Sequence, residues 1–271
     1  PAELLAASHP QSQETLQQAI ARTGGDAERL QKRNDVAAFL ELHIEQGAVL
    51  EHEALDIGVV TGIVGIIRLS ITLAGQAAHA GTTPMNLRKD TLAGGAEIML
   101  AAERLAQDYA RRPEGYFVAT CGQVFNKPNA SNVVPGQTQL VFDIRSDTRE
   151  WMAEFEQQLA QVVETITTQR CLKLLQFERL TDTWPMSCNE TLMQHIEAAC
   201  RAEACRFKRM PSGAGHDAAF LSHIAPSAMI FVPSVAGKSH CPEEWTDEED
   251  LSRGIAVLMQ ALLRIDAADS Y

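Results

Sequence analysis

The chain is 271 residues long, 45% hydrophobic and 21% charged, with a formal net charge of −12 at pH 7. That length accommodates one large domain or two, and the composition is that of an ordinary globular protein. The acidic balance argues against a nucleic-acid or anionic-membrane surface, because nothing supplies a phosphate-neutralising field. No apolar run approaches the roughly 20 residues that span a bilayer.

Six cysteines (Cys121, Cys171, Cys188, Cys200, Cys205 and Cys241) form no C-x-x-C pair. They read as reduced thiols of a cytosolic protein rather than a disulfide framework or a zinc ribbon. The chain opens Pro1-Ala2-Glu3, with no initiator methionine, signal peptide or basic presequence, and is expected to begin inside something larger.

Residues 2–22 are polar with a weak helical stripe (Leu4, Leu5, Leu16, Ala19, Ile20) that Gly24 and Gly25 break. Asp35–Leu40 reads as a helix start or as a lead into a strand over Leu40–Ile44. Ile57–Ile67 is β-branched and punctuated by glycines, the signature of strand and turn. From Arg68 the pattern alternates, with Leu69, Ile71 and Leu73 on one face, as in a half-buried strand. A polar loop (Gly75–Asn86) leads to a helix over Asp90–Tyr109 carrying Leu92, Ile98, Met99 and Leu105. Strands follow over Phe117–Phe125 and Thr138–Ile144. Phe155, Leu159, Val162, Val163 and Ile166 then mark a second helix, and Leu172–Phe177 a fourth strand.

The order β-α-β-β-α-β is the split βαβ pattern of a ferredoxin-like sandwich. It divides an α/β chain into a leading piece (1–66), an inserted domain (67–180) and a trailing piece (181–271). In the trailing piece Asn189 is placed to cap a helix carrying Leu192, Ile196, Ala199 and Cys200. Ala228–Val232 is a continuous apolar run, as in a strand covered on both faces. Thr246 and Glu249 have capping-box spacing. The stripe Leu251, Ile255, Leu258, Met259, Leu262 and Ile265 is the strongest helix signal in the chain.

Four of the eight histidines, His43, His79, His216 and His240, lie in non-helical contexts beside glycines, where a backbone can approach a ligand. His43, in Glu41-Leu42-His43-Ile44-Glu45-Gln46-Gly47, and His240 suit a divalent metal such as zinc, whose catalytic sites favour histidine and carboxylate. On a strand Glu41 and Glu45 share the face of His43, and Glu243 and Glu244 follow His240. Spacing alone does not choose among these carboxylates. No H-E-x-x-H or G-x-S-x-G occurs, so those hydrolase classes lose support. Arg145 lies on the strand face opposite Leu140, Phe142 and Ile144. It is either part of a solvated face or a guanidinium fork for a carboxylate. Asn132 is a turn residue or an amide offered to a polar substrate.

Seven ordered stretches together resemble the N-carbamoyl-L-amino-acid hydrolase and allantoate amidohydrolase branch of the dinuclear-metal aminoacylase/carboxypeptidase (peptidase M20-like) family. They are Glu41–Gly47 with Val49-Leu50-Glu51, Gly58–Gly65, His79–Met85, Asn132–Gly136, Asp143-Ile144-Arg145, Ser212–Ala218 and Ser239-His240. The likeness runs from about residue 35 to the end. It implies a metal-binding α/β domain interrupted by a ferredoxin-like lid that makes a homodimer. It implies hydrolysis of the carbamoyl C–N bond of allantoate or an N-carbamoyl-L-amino acid, releasing ammonia and carbon dioxide in the cytoplasm. By the same resemblance His43 and His240 each bind one of two ions, zinc or manganese. His79 stabilises the oxyanion, often from the partner subunit. Asn132 and Arg145 hold the substrate carboxylate, and Gln46, Gly213, Gly215 and His216 line the pocket.

The alternatives are an aminoacylase or dipeptidase of the same family, or a non-catalytic fragment that dimerises or binds carboxylates. The family's first histidine ligand, bridging aspartate and Glu-Glu pair precede the His43 motif. Residues 1–34 contain no His-x-Asp and no Glu-Glu, and His9 is in neither context. The expectation is a chain that supplies only part of the ligands and does not assemble the dinuclear site.

Overall fold

The computed structural model describes residues 2–9, 12–113 and 115–268. It divides into two compact units, Pro1–Ala37 and Ala38–Tyr271. In the first, helices α1 (Ala2–Ala6) and α2 (Leu16–Arg22) bury no residue. A stripe this weak sustains only short helices, and α2 depends on its cap. The Thr15 hydroxyl accepts from the Gln18 N–H, while the Gln18 side chain accepts from the Thr15 N–H.

The second unit begins with β1 (Phe39–Ile44), the single turn α3 (Val49–His52) and β2 (Ile57–Ile63). It continues through β3 (Gly65–Ala74), β4 (Ala78–His79), α4 (Thr91–Ala110), β5 (Phe117–Lys127), β6 (Val133–Val134) and β7 (Gln137–Ser146). Next come α5 (Arg149–Gln169), β8 (Lys173–Thr183), β9 (Met186–Ser187) and α6 (Glu190–Ala202). It ends with β10 (Phe207–Ser212), α7 (Asp217–Leu221), β11 (Ser227–Val232) and α8 (Glu248–Asp266).

Two sheets divide these strands. A mixed sheet has the order β1-β11-β2-β10, with β9 added on β2. The other is fully antiparallel in the order β5-β7-β3-β8, the ferredoxin-like arrangement. The apolar run expected over Ile57–Ile67 is two strands, one in each sheet. Gly65 makes the change of sheet, because a Cβ there would lie 2.7 Å from the Thr183 carbonyl oxygen.

Each sheet has its own core. In the antiparallel sheet the alternation expected from sequence buries Ile67, Leu69, Ile71 and Leu73 with Leu140, Phe142 and Ile144 under α4 and α5. α4 starts where the Asp90 carboxylate accepts from the Leu92 and Ala93 N–H groups. In the mixed sheet every residue of β11 is buried, and Asn189 caps α6 as expected.

α8 forms where the stripe places a helix, but the expected capping box is not made and most of the stripe is not the buried face. Its N-cap is Asp247 and no side chain caps it, because the Thr246 hydroxyl donates instead to the Pro233 carbonyl oxygen at 3.0 Å. The face it buries is Gly254, Val257, Ala261 and Ile265, while Leu251, Ile255, Met259 and Leu262 are exposed. The helix lies close to the sheet. A Cβ on Gly254 would lie 2.5 Å from Val232, so only a small residue fits that contact, and Leu251, Ile255, Met259 and Leu262 of the stripe turn outward. Among the described residues no helix is long and apolar enough to cross a membrane.

Candidate active site

β1 is the edge strand on which the site is built, and its alternation sorts the motif. Leu42 points toward Gly254 of α8. Glu41 and His43 point the other way, where the Glu41 carboxylate accepts from the Ala218 N–H of α7 at 2.8 Å. The strand ends at Ile44, so Glu45 no longer shares the face of His43. Its carboxylate curls forward and accepts from the Val49 and Leu50 N–H groups, at 2.8 Å each, fixing the start of α3. Gly47 follows from this: a Cβ there would lie 2.8 Å from Glu45 Oε1. Gln46 takes a positive φ of 59°, and its N–H donates to the Ser234 hydroxyl at 3.0 Å. Between the two carboxylates that flank His43 in sequence, the geometry distinguishes. Glu41 faces His43, and Glu45 is a helix cap.

His216 completes a cluster with these two. Ligand atoms of Glu41, His43 and His216 lie within 4.8 Å of one another, and the two imidazoles pack edge to face with centroids 4.5 Å apart. His43 Nδ1 donates to the Ile44 carbonyl oxygen at 2.8 Å, which leaves Nε2 as the ring nitrogen open to another partner. His216 Nε2 contacts the Ser212 hydroxyl at 2.6 Å. Its Nδ1 is the buried side-chain atom that lacks a hydrogen-bond partner among the described residues. Burial, aided by the neighbouring His43, pushes the His216 imidazole down to about 4, so it is neutral at pH 7. Two imidazoles and one carboxylate, with the His216 Nδ1 buried and otherwise unpartnered, fit a divalent cation. His216, expected to line the pocket, thus lies with the candidate donors, and His240 is not among these three.

His240 lines an adjoining cavity of about 460 Å³, together with Gln46, Tyr116, Arg145 and Gly213 among others. Gln46 ties this loop to the end of β1, its amide donating to the Ser239 hydroxyl at 3.0 Å and lying 3.4 Å from His240 Nε2. Arg145 reaches in from β7. Its guanidinium donates to both Asp143 oxygens, at 2.6 and 3.2 Å, and to the Gly213 carbonyl oxygen at 2.8 Å. Burial pushes the Asp143 carboxyl up, but Arg145 and Arg68 outweigh it and hold the group below the usual carboxylate range. Arg145 is the cation that lines this cavity, whereas Arg68 and Asp143 line a separate one. Gly215 has nothing within 4 Å of a Cβ, so packing gives no reason for a glycine there.

His79 and Asn132 form a separate group. β4 and β6 pair His79 with Val133, and the Ala80 N–H donates to the Asn132 carbonyl oxygen at 2.9 Å. The Gly81 and Thr82 N–H groups donate to His79 Nδ1 at 3.0 and 3.2 Å. Nδ1 is therefore an acceptor, and the ring proton sits on the exposed Nε2. Neither residue lines the cavity that holds Arg145. Tyr116, which does, follows a glycine just ahead of β5 and carries no motif that a sequence reading could single out.

A mixed sheet carries an inserted ferredoxin-like sandwich, and the candidate donors Glu41, His43 and His216 gather on the mixed-sheet side. Residues 14–264 match Peptidase family M20/M25/M40, and the chain belongs to that family. It is 39% identical to an N-carbamoyl-L-amino acid amidohydrolase of Geobacillus stearothermophilus over 255 residues, which is 93% of this chain and 61% of that protein. It is 38% identical to an allantoate amidohydrolase of Escherichia coli over 236 residues, 87% of this chain and 56% of that one. A crystal structure of an amidase of the hydantoinase/carbamoylase family from Burkholderia multivorans superposes with a TM-score of 0.89 at 33% identity, covering 97% of this chain and 62% of that one. The chain thus spans 56–62% of the length of these relatives.

Proposed function

We propose that the chain carries the carboxylate pocket and part of the metal site of an amidohydrolase that cleaves the carbamoyl C–N bond of a ureido acid, allantoate or an N-carbamoyl-L-amino acid. The observation that carries this reading is Arg145, a buttressed cation at the wall of a cavity sized for a small polar acid. The names of the relatives support the ureido group as the bond cleaved.

In this reading Arg145, with Asn132 from a second copy, holds the substrate carboxylate, and Gln46, Gly213, Gly215 and His216 shape the pocket. His79 presents Nε2–H to the carbamoyl oxygen as negative charge develops there. Because His79 and Asn132 lie apart from the Arg145 cavity, they serve the pocket of a second copy in a homodimer made through the ferredoxin-like unit. That unit is residues 67–180, set between catalytic pieces 1–66 and 181–271. His43 holds one divalent ion, zinc or manganese, with Glu41 and His216 as further donors, and His240 holds a second. Such ions supply Lewis acidity toward water and the substrate carbonyl. The free cysteines suit work in the cytoplasm.

The test is calorimetric binding of ureido acids, N-acyl amino acids and dipeptides to the chain and to Arg145→Ala. Ureido acids bind preferentially, and the variant loses at least tenfold in affinity. Unchanged affinity in Arg145→Ala, or a preference for N-acyl acids or dipeptides, overturns the proposal.

A further inference from the structure

One wall of the cavity is a phenol. Tyr116 precedes β5, whose residues Phe117 and Val118 pair with Ser146 and Arg145 of β7. Alternation therefore carries Tyr116 on the same face as Val118 and its cross-strand neighbour Arg145. Its backbone is clamped on both sides by the residues that follow Arg145. The Tyr116 N–H donates to the Asp147 carboxylate at 2.8 Å, and the Ser146 hydroxyl donates to the Tyr116 carbonyl oxygen at 2.7 Å. The ring is half-buried, and its hydroxyl lies 3.0 Å from where a Cβ on Gly213 would stand. No described group hydrogen-bonds that hydroxyl. Burial raises the phenol above its ordinary range, with Arg145 opposing, so it stays protonated and able to donate at neutral pH.

Arg145 spends three of its five N–H groups on Asp143 and Gly213. A carboxylate arriving there has two oxygens to satisfy in a site partly screened from water, and one further donor of fixed position is the phenol. We propose that Tyr116 is a substrate-binding, specificity-determining residue: its hydroxyl donates to the carboxylate that Arg145 attracts, and its stance over Gly213 sets the depth of that end of the pocket. The inference rests on the reading of this cavity as a carboxylate site.

The experiment is calorimetry on the full chain with N-carbamoyl-L-alanine and with its uncharged carboxamide. Tyr116→Phe removes only the hydroxyl. It weakens binding of the acid roughly tenfold and leaves binding of the carboxamide unchanged, as expected for loss of one hydrogen bond to a charged group. Gly213→Ala displaces the hydroxyl, so it weakens acid binding in the Tyr116 background and adds nothing in Tyr116→Phe, a non-additivity that a merely structural role would not produce. Acid affinity unchanged in Tyr116→Phe but lost in Arg145→Ala overturns the role of Tyr116 and leaves the carboxylate reading standing. A wild-type chain that does not distinguish the acid from the carboxamide overturns both.

Discussion

Glu45 offers a sharp test of how the His43 motif is built. The residue is 8% exposed, and its carboxylate accepts two backbone N–H groups at 2.8 Å, those of Val49 and Leu50. Hydrogen bonds to a charged acceptor contribute about 1.5–3 kcal/mol each, and a lost N-cap costs about 1 kcal/mol. The Leu50 N–H is buried with its residue, whereas the Val49 residue is 40% exposed and can be rehydrated. Glu45→Ala should therefore cost about 3 kcal/mol, and Glu45→Gln, which keeps one acceptor oxygen but loses the charge, about 2 kcal/mol. For a chain of this size the alanine variant should melt roughly 5–10 °C lower. The assay is urea and thermal unfolding followed by circular dichroism, with divalent-ion affinity measured on the same samples. Glu45→Gln should bind zinc as wild type does, while Glu41→Gln should lose at least about tenfold in affinity. If Glu45→Ala unfolds within about 0.5 kcal/mol of wild type, or if Glu45→Gln is the variant that loses the ion, the assignment of the two carboxylates is wrong.

Two further outcomes follow from buried contacts. The Asp56 carboxylate is held below its usual range chiefly by the Arg206 guanidinium, against the upward push of burial, and Arg206 also gives it a backbone N–H at 2.7 Å. A carboxyl depressed by folding stabilises the protein above its unfolded pKa, and that stability is lost as pH falls. Wild type should thus lose more melting temperature than Asp56→Asn on acidification from about pH 5 to pH 3, and equal losses would show the pair to be inconsequential. Gly254→Ala should destabilise by about 1 kcal/mol, because Cβ contacts of 2.5 Å to Val232 and 2.9 Å to Leu42 outweigh the gain in helix propensity. A more stable variant in urea unfolding would mean that the helix can lift from the sheet at no cost.

The ferredoxin-like unit was legible because its strands are half-buried and its helices carry one apolar face, so periodicity reports which side is inside. The stripe located α8, but the face it buries is Gly254, Val257, Ala261 and Ile265, of which only Ile265 belongs to the stripe. Small residues leave little hydrophobic signal, and the bulky outward stripe dominates the pattern. At the site, the motifs located Arg145, His216 and His43, but choosing Glu41 over Glu45 required knowing that β1 stops at Ile44. One residue of strand length decides whether a carboxylate faces the histidine or turns to cap a helix. Tyr116 was invisible for a different reason. It acts through a cross-strand neighbour and a loop nearly a hundred positions away, and nothing local marks it.

The place of β1 has a consequence in time. Its one described strand neighbour is β11, with Phe39 opposite Ser227, a separation of 188 positions. The antiparallel sheet, by contrast, closes within residues 65–183. At a synthesis rate of about 5–20 residues per second, the strand bearing Glu41 and His43 waits roughly 10–40 s for its neighbour to be made. Contacts of such long range form late, since loop closure must precede them. The ferredoxin-like sandwich can be finished while Leu40, Leu42 and Ile44 are still uncovered. The candidate metal donors are therefore among the last groups in the molecule to be assembled, and a nascent chain that misfolds will do so with its most consequential strand exposed.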